Sequence, residues 1–427
     1  MIILDRKKAP EFHQVNNIEF LNVVKTTLDN GIELNYINGG SQEILKIDFI
    51  FDAGNWYQNK PLVASSTNQL MKEGTKNYSA FEISEGIDKY GAFFETENTY
   101  DTATLTLYTL TKHLDSVLPY VKEVILSPKF SEKEFEIYKN NAIEKFKVNL
   151  EKVSFIARKD FMSNIFGNSH PYGTNVNLSD YENLSLNDII NFYNNNYNLG
   201  NCRVLVSGKV NPANIKTLNS FFGKEQLSKN IISEKKTSVN SSNNSPLYIE
   251  KENALQSAIR IGRVIPNKLH EDYFGLQILN TVLGGYFGSR LMNNIREDKG
   301  YTYGIGSGII SLKNEGYFFI STEVGSDVTK KALIEIYKEI ELISTQEISK
   351  EELELVKNYM LGQFLKSCDG PFNMASLFES VNEYGLDYSF YNNYIKTIKE
   401  TTPKTLLELG AKYFNKTDLK EIVVGRL

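Results

Sequence analysis

Residues 349–364, SKEELELVKNYMLGQF, repeat residues 131–146, SEKEFEIYKNNAIEKF, without a gap. The offset in numbering is 349 − 131 = 218, and six of the aligned positions are identical. A second match lies near the ends of the two halves, where RVLVSGKV at 203–210 aligns with KEIVVGRL at 420–427. There the aligned glycines are Gly208 and Gly425, at an offset of 425 − 208 = 217. Two well-separated matches at nearly one offset predict two tandem domains of one fold.

Local signals predict both helices and strands in each half. Ser131 with Glu134 predicts a capping box that opens a long helix, Glu132 to about Val153, and Ser79 with Glu82 predicts another. Residues 45–51, LKIDFIF, alternate between apolar and polar side chains, which is typical of a half-buried strand. Strands that alternate with long amphipathic helices indicate an α+β fold. We expect each domain to be a mostly antiparallel sheet with helices on one face.

The boundary between the two domains is predicted from composition. Residues 223–245, GKEQLSKNIISEKKTSVNSSNNS, are rich in Ser, Asn and Lys and have little apolar surface to bury. This composition is typical of a linker. The predicted organisation is therefore a first domain at 1–222, a linker at 223–245 and a second domain at 246–427.

Composition and charge exclude several classes of function. The 427 residues are 41% apolar and 23% charged, with a net charge of −5, which is typical of a globular protein. No long basic run is present, so we expect no binding to nucleic acid. No apolar run approaches the ~20 residues of a transmembrane helix, so we expect no association with a membrane.

The two cysteines, Cys202 and Cys368, are far apart in the sequence. Isolated thiols suggest a reducing compartment and no disulfide framework. The first residues, MIILDRKKAPEF, contain no apolar stretch long enough for the core of a signal peptide. We therefore expect a cytoplasmic protein, although export together with a partner that carries a signal stays open.

Residues 284–306, GGYFGSRLMNNIREDKGYTYGIG, hold the strongest candidates for a functional site. Arg296 lies in a predicted helix, and Tyr303 lies seven residues later, at the start of a predicted strand. This spacing lets a cation and a phenol point towards one place. Tyr301 is the alternative to Tyr303, and Arg290 is expected to pin the glycine-rich turn. The glycines themselves follow a helix, so the turn does not have the context of a phosphate-binding loop.

Several motifs together resemble the pitrilysin/insulinase type of zinc metallopeptidase, which is an inverted-zincin family. The resemblance covers about residues 20–427 and is most specific at 288–308. In that family, an arginine and a tyrosine spaced like Arg296 and Tyr303 hold the substrate close to the metal. The matching segments are LDNGIELNYI at 28–37, AGNW at 53–56, EGTKNYSA at 73–80, HPYG at 170–173 and GSRLMNNIREDKGYTYGIGSG at 288–308.

The zinc motif of the family, His-x-x-Glu-His, is absent from this sequence. Its positions fall at Ser65, Asn68 and Gln69, none of which supplies an imidazole or a proton-accepting carboxylate. The third zinc ligand of the family, a glutamate, falls at Ala142 in one alignment and at Glu144 in another. We therefore expect this chain to bind no zinc.

The distribution of histidines supports the same expectation without any alignment. The four histidines are at positions 13, 113, 170 and 270, so no two of them are close in the sequence. No helix can therefore carry a pair of histidines one turn apart. His170, which precedes Pro171, is predicted to cap or fill a loop, and Trp56 is predicted to pack in a core.

The resemblance implies the non-catalytic, arginine- and tyrosine-bearing subunit of a two-chain zinc metallopeptidase of the bacterial type. The chain would form half of a clamshell chamber, and a homologous partner chain would carry the zinc. The implied substrates are unfolded peptides, and the chain alone is expected to be inactive. The alternative is a structural, scaffolding or peptide-binding homologue with no role in proteolysis.

Overall fold

The computed structural model describes residues 18–227, 237–241 and 246–427. Most of the predicted linker at 223–245 therefore lies outside the described residues. No helix in the described ranges is long and apolar enough to cross a membrane.

A six-stranded sheet forms the core of the first domain, in the order β1-β2-β6-β3-β5-β4. Its neighbouring strands are antiparallel except for the parallel pair β2 and β6. The alternating side chains of β3 at 45, 47, 49 and 51 are all fully buried, as predicted. The strands are β1 (Val23–Thr27), β2 (Glu33–Asn38), β3 (Ile44–Phe51), β4 (Phe93–Asn98), β5 (Ala103–Leu110) and β6 (Cys202–Gly208). The helices are α1 (Val63–Leu70), α2 (Ala80–Asp88), α3 (Leu114–Leu126), α4 (Glu132–Leu150), α5 (Val153–Phe166), α6 (Leu178–Glu182), α7 (Leu186–Asn196) and α8 (Pro212–Phe222).

A five-stranded sheet forms the core of the second domain, in the order β7-β11-β8-β10-β9. Only β7 and β11 pair in parallel, so both sheets are mostly antiparallel, as expected. The strands are β7 (Leu247–Glu250), β8 (Gln256–Ile265), β9 (Ile305–Ser311), β10 (Gly316–Gly325) and β11 (Lys420–Gly425). The helices are α9 (Tyr273–Gly284), α10 (Thr329–Thr345), α11 (Lys350–Ser367), α12 (Gly370–Asn382), α13 (Ser389–Glu400) and α14 (Pro403–Tyr413), with a π-helix at Met292–Asp298.

The repeat seen in the sequence corresponds to equivalent elements of the two domains. Ser131 and Ser349 are the N-caps of α4 and α11, and each side chain accepts a bond from the backbone N–H three residues later. Gly208 and Gly425 end the equivalent strands β6 and β11 with positive φ angles of 114° and 139°, a conformation that favours glycine. The capping box predicted at Ser79 is complete. The one predicted at Ser131 is only half formed, and the helix that it opens ends at Leu150, because α5 is a separate helix.

Each domain covers the second face of the other domain's sheet. Helix α5 of the first domain packs Ala157 and Phe161 against β8 and β11 of the second domain. Helix α12, which follows α11 as α5 follows α4, packs Ala375 and Phe378 against the first sheet. The expectation that helices cover one face of each sheet is therefore wrong near the junction. The two domains bury apolar surface that neither could bury alone.

Buried polar contacts also join the two domains. Arg203 on β6 donates to Glu379 of α12 through Nε and Nη2, at 3.1 and 3.0 Å, and to Asp52 through Nη1 at 3.2 Å. Burial raises the pKa of the Glu379 carboxyl, and the Arg203 guanidinium opposes that rise. A second link joins Asp101 of the first domain to the backbone N–H of Lys313, at 2.9 Å.

Candidate functional site

Helix α1 carries Ser65, Asn68 and Gln69, the positions that the sequence resemblance aligns with a zinc motif. Ser65 is partly buried, and its hydroxyl donates to the carbonyl of Leu62 at 3.1 Å. Asn68 is buried at 1% exposure, whereas Gln69 is exposed. A hydroxyl and two carboxamides are neutral groups, and zinc in proteins is held by imidazole, thiolate and carboxylate ligands. These residues therefore do not fit zinc.

The third-ligand positions lie on α4, which contacts α1 through the 2.9 Å hydrogen bond between Tyr138 and Ser66. Glu144 is exposed and forms an ion pair with Lys147 at 2.8 Å, while Ala142 is partly buried. Among the described residues, no three His, Cys, Asp or Glu side chains come together as a potential metal site. The expectation that this chain binds no zinc stays a prediction.

Leu62, directly before α1, has a left-handed backbone conformation, with φ at 71°. It is the one non-glycine residue with positive φ among those described. Such a conformation costs of order 1–3 kcal/mol and is often found at functional sites. The backbone strain therefore lies directly before α1.

Arg296 lies on the π-helix, and π-helical turns often occur at functional sites. Its guanidinium stacks on Phe287 with 4.6 Å between Cζ and the ring centroid. Its Nη1 lies 3.1 Å from a carboxylate oxygen of Glu297. About a third of the Arg296 side chain is exposed, and Phe287 is exposed at 65%. The guanidinium is therefore only partly accessible, because its Nη1 is buried, and it is held by one aromatic ring and one carboxylate.

Two polar contacts fix the segment that carries Arg296. Asn294 donates through Nδ2 to Glu335 at 3.0 Å and to Glu339 at 2.7 Å, which ties the π-helix to α10. Arg290 forms a bidentate pair with Glu352 near the start of α11, with both N···O distances at 2.8 Å. This pair confirms that Arg290 has a structural role at the end of the glycine-rich turn. A bidentate guanidinium–carboxylate pair fixes direction as well as distance.

Tyr303 projects into solvent from the loop before β9 and is 94% exposed. The prediction that it begins a strand is wrong, because β9 starts at Ile305. The hydroxyl of the neighbouring Thr302 donates to the carbonyl of Glu323 at 2.6 Å and accepts the backbone N–H of Gly304 at 3.1 Å. These bonds fix the loop with Tyr303 pointing outward. Tyr301, in contrast, packs against the core of the second domain.

Arg296 and Tyr303 lie on one connection, between α9 and β9. Tyr303 is open to contact a ligand, whereas Arg296 is partly covered by its contacts with Phe287 and Glu297. Sequence reasoning missed Phe287, Asn294 and Thr302. Phe287 could have been noticed in the sequence, because it is an aromatic residue inside a glycine-rich turn. The roles of Asn294 and Thr302 could not, because their contacts are with elements distant in the sequence.

The HPYG segment has a structural role, as predicted. His170 is 2% exposed, and its Nδ1 accepts the backbone N–H of Tyr172 at 3.2 Å. Burial lowers the pKa of His170, which favours the neutral imidazole. Trp56 packs against both rings, which confirms its predicted place in a core.

Two sequence models of one peptidase family match the chain. The model described as Insulinase (Peptidase family M16) matches residues 41–173. The model described as Peptidase M16 inactive domain matches residues 183–360.

Curated relatives and solved structures agree with these matches. The chain is 23% identical to an uncharacterized zinc protease, YmxG, of Bacillus subtilis, over 81% of this chain and 85% of the relative. It is 21% identical to the non-peptidase homolog YmxG of Helicobacter pylori, over 69% of this chain and 68% of the relative.

The fold is similar to that of two solved structures. A peptidase M16 inactive domain from Pseudomonas fluorescens superposes with a TM-score of 0.82 at 21% identity, over 95% of this chain and 99% of that one. A protease from Helicobacter pylori superposes with a TM-score of 0.87 at 19% identity, over 95% of this chain and 100% of that one. The chain therefore belongs to the M16 peptidase family, and its residues 183–360 match the inactive domain of that family.

Proposed function

We propose that this chain is the substrate-binding, non-catalytic subunit of a two-chain zinc metallopeptidase. The observation that carries the proposal is an asymmetry between the domains. The first domain has no zinc ligands at the motif positions, whereas the second presents Arg296 and the 94% exposed Tyr303 to solvent.

The chemistry of the two residues suits peptide hydrolysis that is catalysed by a partner. The guanidinium of Arg296 can donate two hydrogen bonds in a fixed geometry to a peptide carbonyl. The hydroxyl of Tyr303 can donate to the oxyanion that forms when water adds to that carbonyl. The partner supplies the zinc and the activated water. This chain supplies positioning and donors for the developing negative charge.

The proposed substrates are unfolded peptides that bind in an extended form along a sheet edge. Within the described residues, β9 pairs only with β10, so its outer backbone groups are open to such a peptide. The edge starts two residues after Tyr303. A peptide on β9 would therefore pass close to the tyrosine.

A structural or scaffolding role is the alternative from a different class. A scaffold has no need of an exposed phenol and a partly exposed cation on one connection, so the second-domain site favours the peptidase subunit. Location in the cytoplasm stays a prediction.

The test compares the purified chain with a mixture of the chain and a zinc-bearing M16 homologue from the same organism. We expect the chain alone to hold no tightly bound zinc and to cleave no unfolded peptide, and the mixture to form a complex that cleaves. Zinc-dependent cleavage by the chain alone would refute the proposal. A stable complex whose activity equals that of the partner alone would favour the scaffold.

A further inference from the structure

A cavity of about 370 Å³ opens beside Tyr303 in the second domain. Tyr303 and Gly304 border one side, and Gln256, Ser321 and Glu323 border the other. Its volume is at the low end of the range for ligand pockets, which suits one side chain of a larger ligand.

Gly304, directly before β9, helps to keep the cavity open. Gly306 pairs with Ser321 on β10, and Ile305 pairs with Thr322. If the register continues by one residue, Gly304 lies opposite Glu323. A Cβ atom at Gly304 would meet no atom within 4 Å, and one at Gly306 would meet only the carbonyl oxygen of Gly284, at 3.5 Å. Further along the strand, in contrast, the ring of Phe319 covers Gly308. Gly304 thus borders the cavity without a side chain, and Gly306 lies two residues further along the same edge.

An extended peptide along the outer edge of β9 would direct alternate side chains to this face of the sheet. Gly304 and Gly306 contribute no side chains that would block the way. A side chain of the peptide that lies level with Gly304 would therefore reach the cavity beside Tyr303. Glu323 lies on the far side of that space, on β10.

The charge of the lining selects a type of side chain. Glu323 is exposed and has no ion-pair partner within 4 Å among the described residues. The other lining groups are hydroxyls, an amide and backbone, all of which are neutral. A carboxylate among neutral polar groups matches an ammonium or guanidinium group at the end of a long side chain.

We propose that this cavity is a specificity subsite for a lysine or arginine side chain of an extended peptide bound along β9. The proposal rests on the proposed function, because it places the subsite beside Tyr303 on the peptide path. Glu323 acts as a specificity residue, and it takes no part in the chemistry of cleavage. Gly304 has no side chain and so leaves space in the cavity for the side chain of the peptide.

The test uses two fluorescent, unstructured peptides that differ only by lysine or norleucine at one position, scanned along the peptide. Binding to the isolated full-length chain is followed by fluorescence anisotropy, up to about 1 mM. We expect lysine at one position to tighten binding about three- to tenfold, the range for one charged hydrogen bond in a partly exposed site. High salt should reduce this preference.

Three variants make the test specific. Glu323→Gln should abolish the preference for lysine and leave the affinity for the norleucine peptide unchanged. Gly304→Val should weaken binding of both peptides, because it fills the cavity without strain at a residue that lacks a positive φ angle. Glu347→Gln, which removes an exposed carboxylate elsewhere, should change neither affinity.

A lysine preference that is absent up to about 1 mM, or that survives in Glu323→Gln, would overturn the subsite. The proposed function fails in a different way, through normal turnover by an Arg296 or Tyr303 variant in the two-chain complex. The subsite can therefore fail while the peptidase role stands.

Discussion

Replacing Arg203 by methionine tests the claim that the two domains form one structural unit. Arg203 bridges Asp52 of the first domain and Glu379 of the second, and its side chain is only 16% exposed. Methionine keeps much of the apolar stem and removes the charge. The substitution leaves the Glu379 carboxylate, 22% exposed, without its cation.

The magnitude follows from this degree of burial. Removing one partner of a fully buried ion pair costs about 3–5 kcal/mol, and an exposed pair contributes about 0–1 kcal/mol. The residual exposure of all three side chains places the expected loss at about 2–4 kcal/mol. Urea unfolding, followed by circular dichroism, measures the loss as a fall in the free energy of unfolding.

The stability that Arg203→Met loses should depend on pH, and the burial of Glu379 determines the direction of that dependence. Burial raises the pKa of Glu379, and loss of Arg203 should raise it further, because the guanidinium opposes that rise. A carboxyl with a raised pKa in the folded state stabilises the protein in acid, and this stability is lost as pH rises through the folded pKa. The deficit of Arg203→Met should therefore be smaller near pH 5 than near pH 8.

A matched control and a double variant complete the test. Lys404→Met breaks an exposed pair with Glu408, in which the side chains are 77% and 67% exposed, and should cost at most about 0.5 kcal/mol. Glu379→Gln should recover part of the stability that Arg203→Met loses, with a coupling of at least about 1 kcal/mol. A deficit no larger than that of the control, or one that is independent of pH, would refute the account of a buried inter-domain pair.

Three further predictions concern stability. Burial raises the pKa of Glu383 to about 7, and Lys268 opposes the rise. The stabilising contribution of the protonated carboxyl is therefore lost as pH rises through about 7. Glu383→Gln should stabilise the protein by about 1–3 kcal/mol near pH 8 and have little effect near pH 4. Urea titrations at the two pH values measure both effects. Ser131→Ala and Ser349→Ala remove equivalent N-caps, and each should lower the free energy of unfolding by about 0.5–2 kcal/mol; a loss in only one variant would contradict their equivalence. Asn294→Ala breaks two bonds to carboxylates and should cost about 2–4 kcal/mol in the same assay, and no loss would show that the π-helix is held by other contacts.

The sequence predicted much of the fold because local signals and the internal repeat agreed. The serine caps at 79, 131 and 349 and the alternation along β3 each depend on residues close in sequence. The exchange of α5 and α12 between the domains was not predicted. An apolar helix face indicates burial and does not identify the covering sheet.

The candidate site was predicted in part, for a similar reason. The family resemblance pointed to Arg296 and Tyr303, and in the structure Tyr303 is exposed and Arg296 is partly exposed. The π-helix under Arg296 depends on the contact between Asn294 and α10, which is distant in the sequence and leaves no local signal. The exposure of Tyr303 likewise depends on the bond from Thr302 to β10.

The most direct test of the central claim is peptide turnover by the two-chain complex with substitutions in this chain. We predict that Arg296→Ala and Tyr303→Phe each lower kcat/KM, by up to about 10²-fold, while the zinc content of the complex stays unchanged. Tyr301→Phe, which removes a hydroxyl from a tyrosine packed against the core, serves as the control and should leave turnover unchanged. Normal turnover in both the Arg296 and the Tyr303 variants would contradict the assignment of these residues to substrate binding.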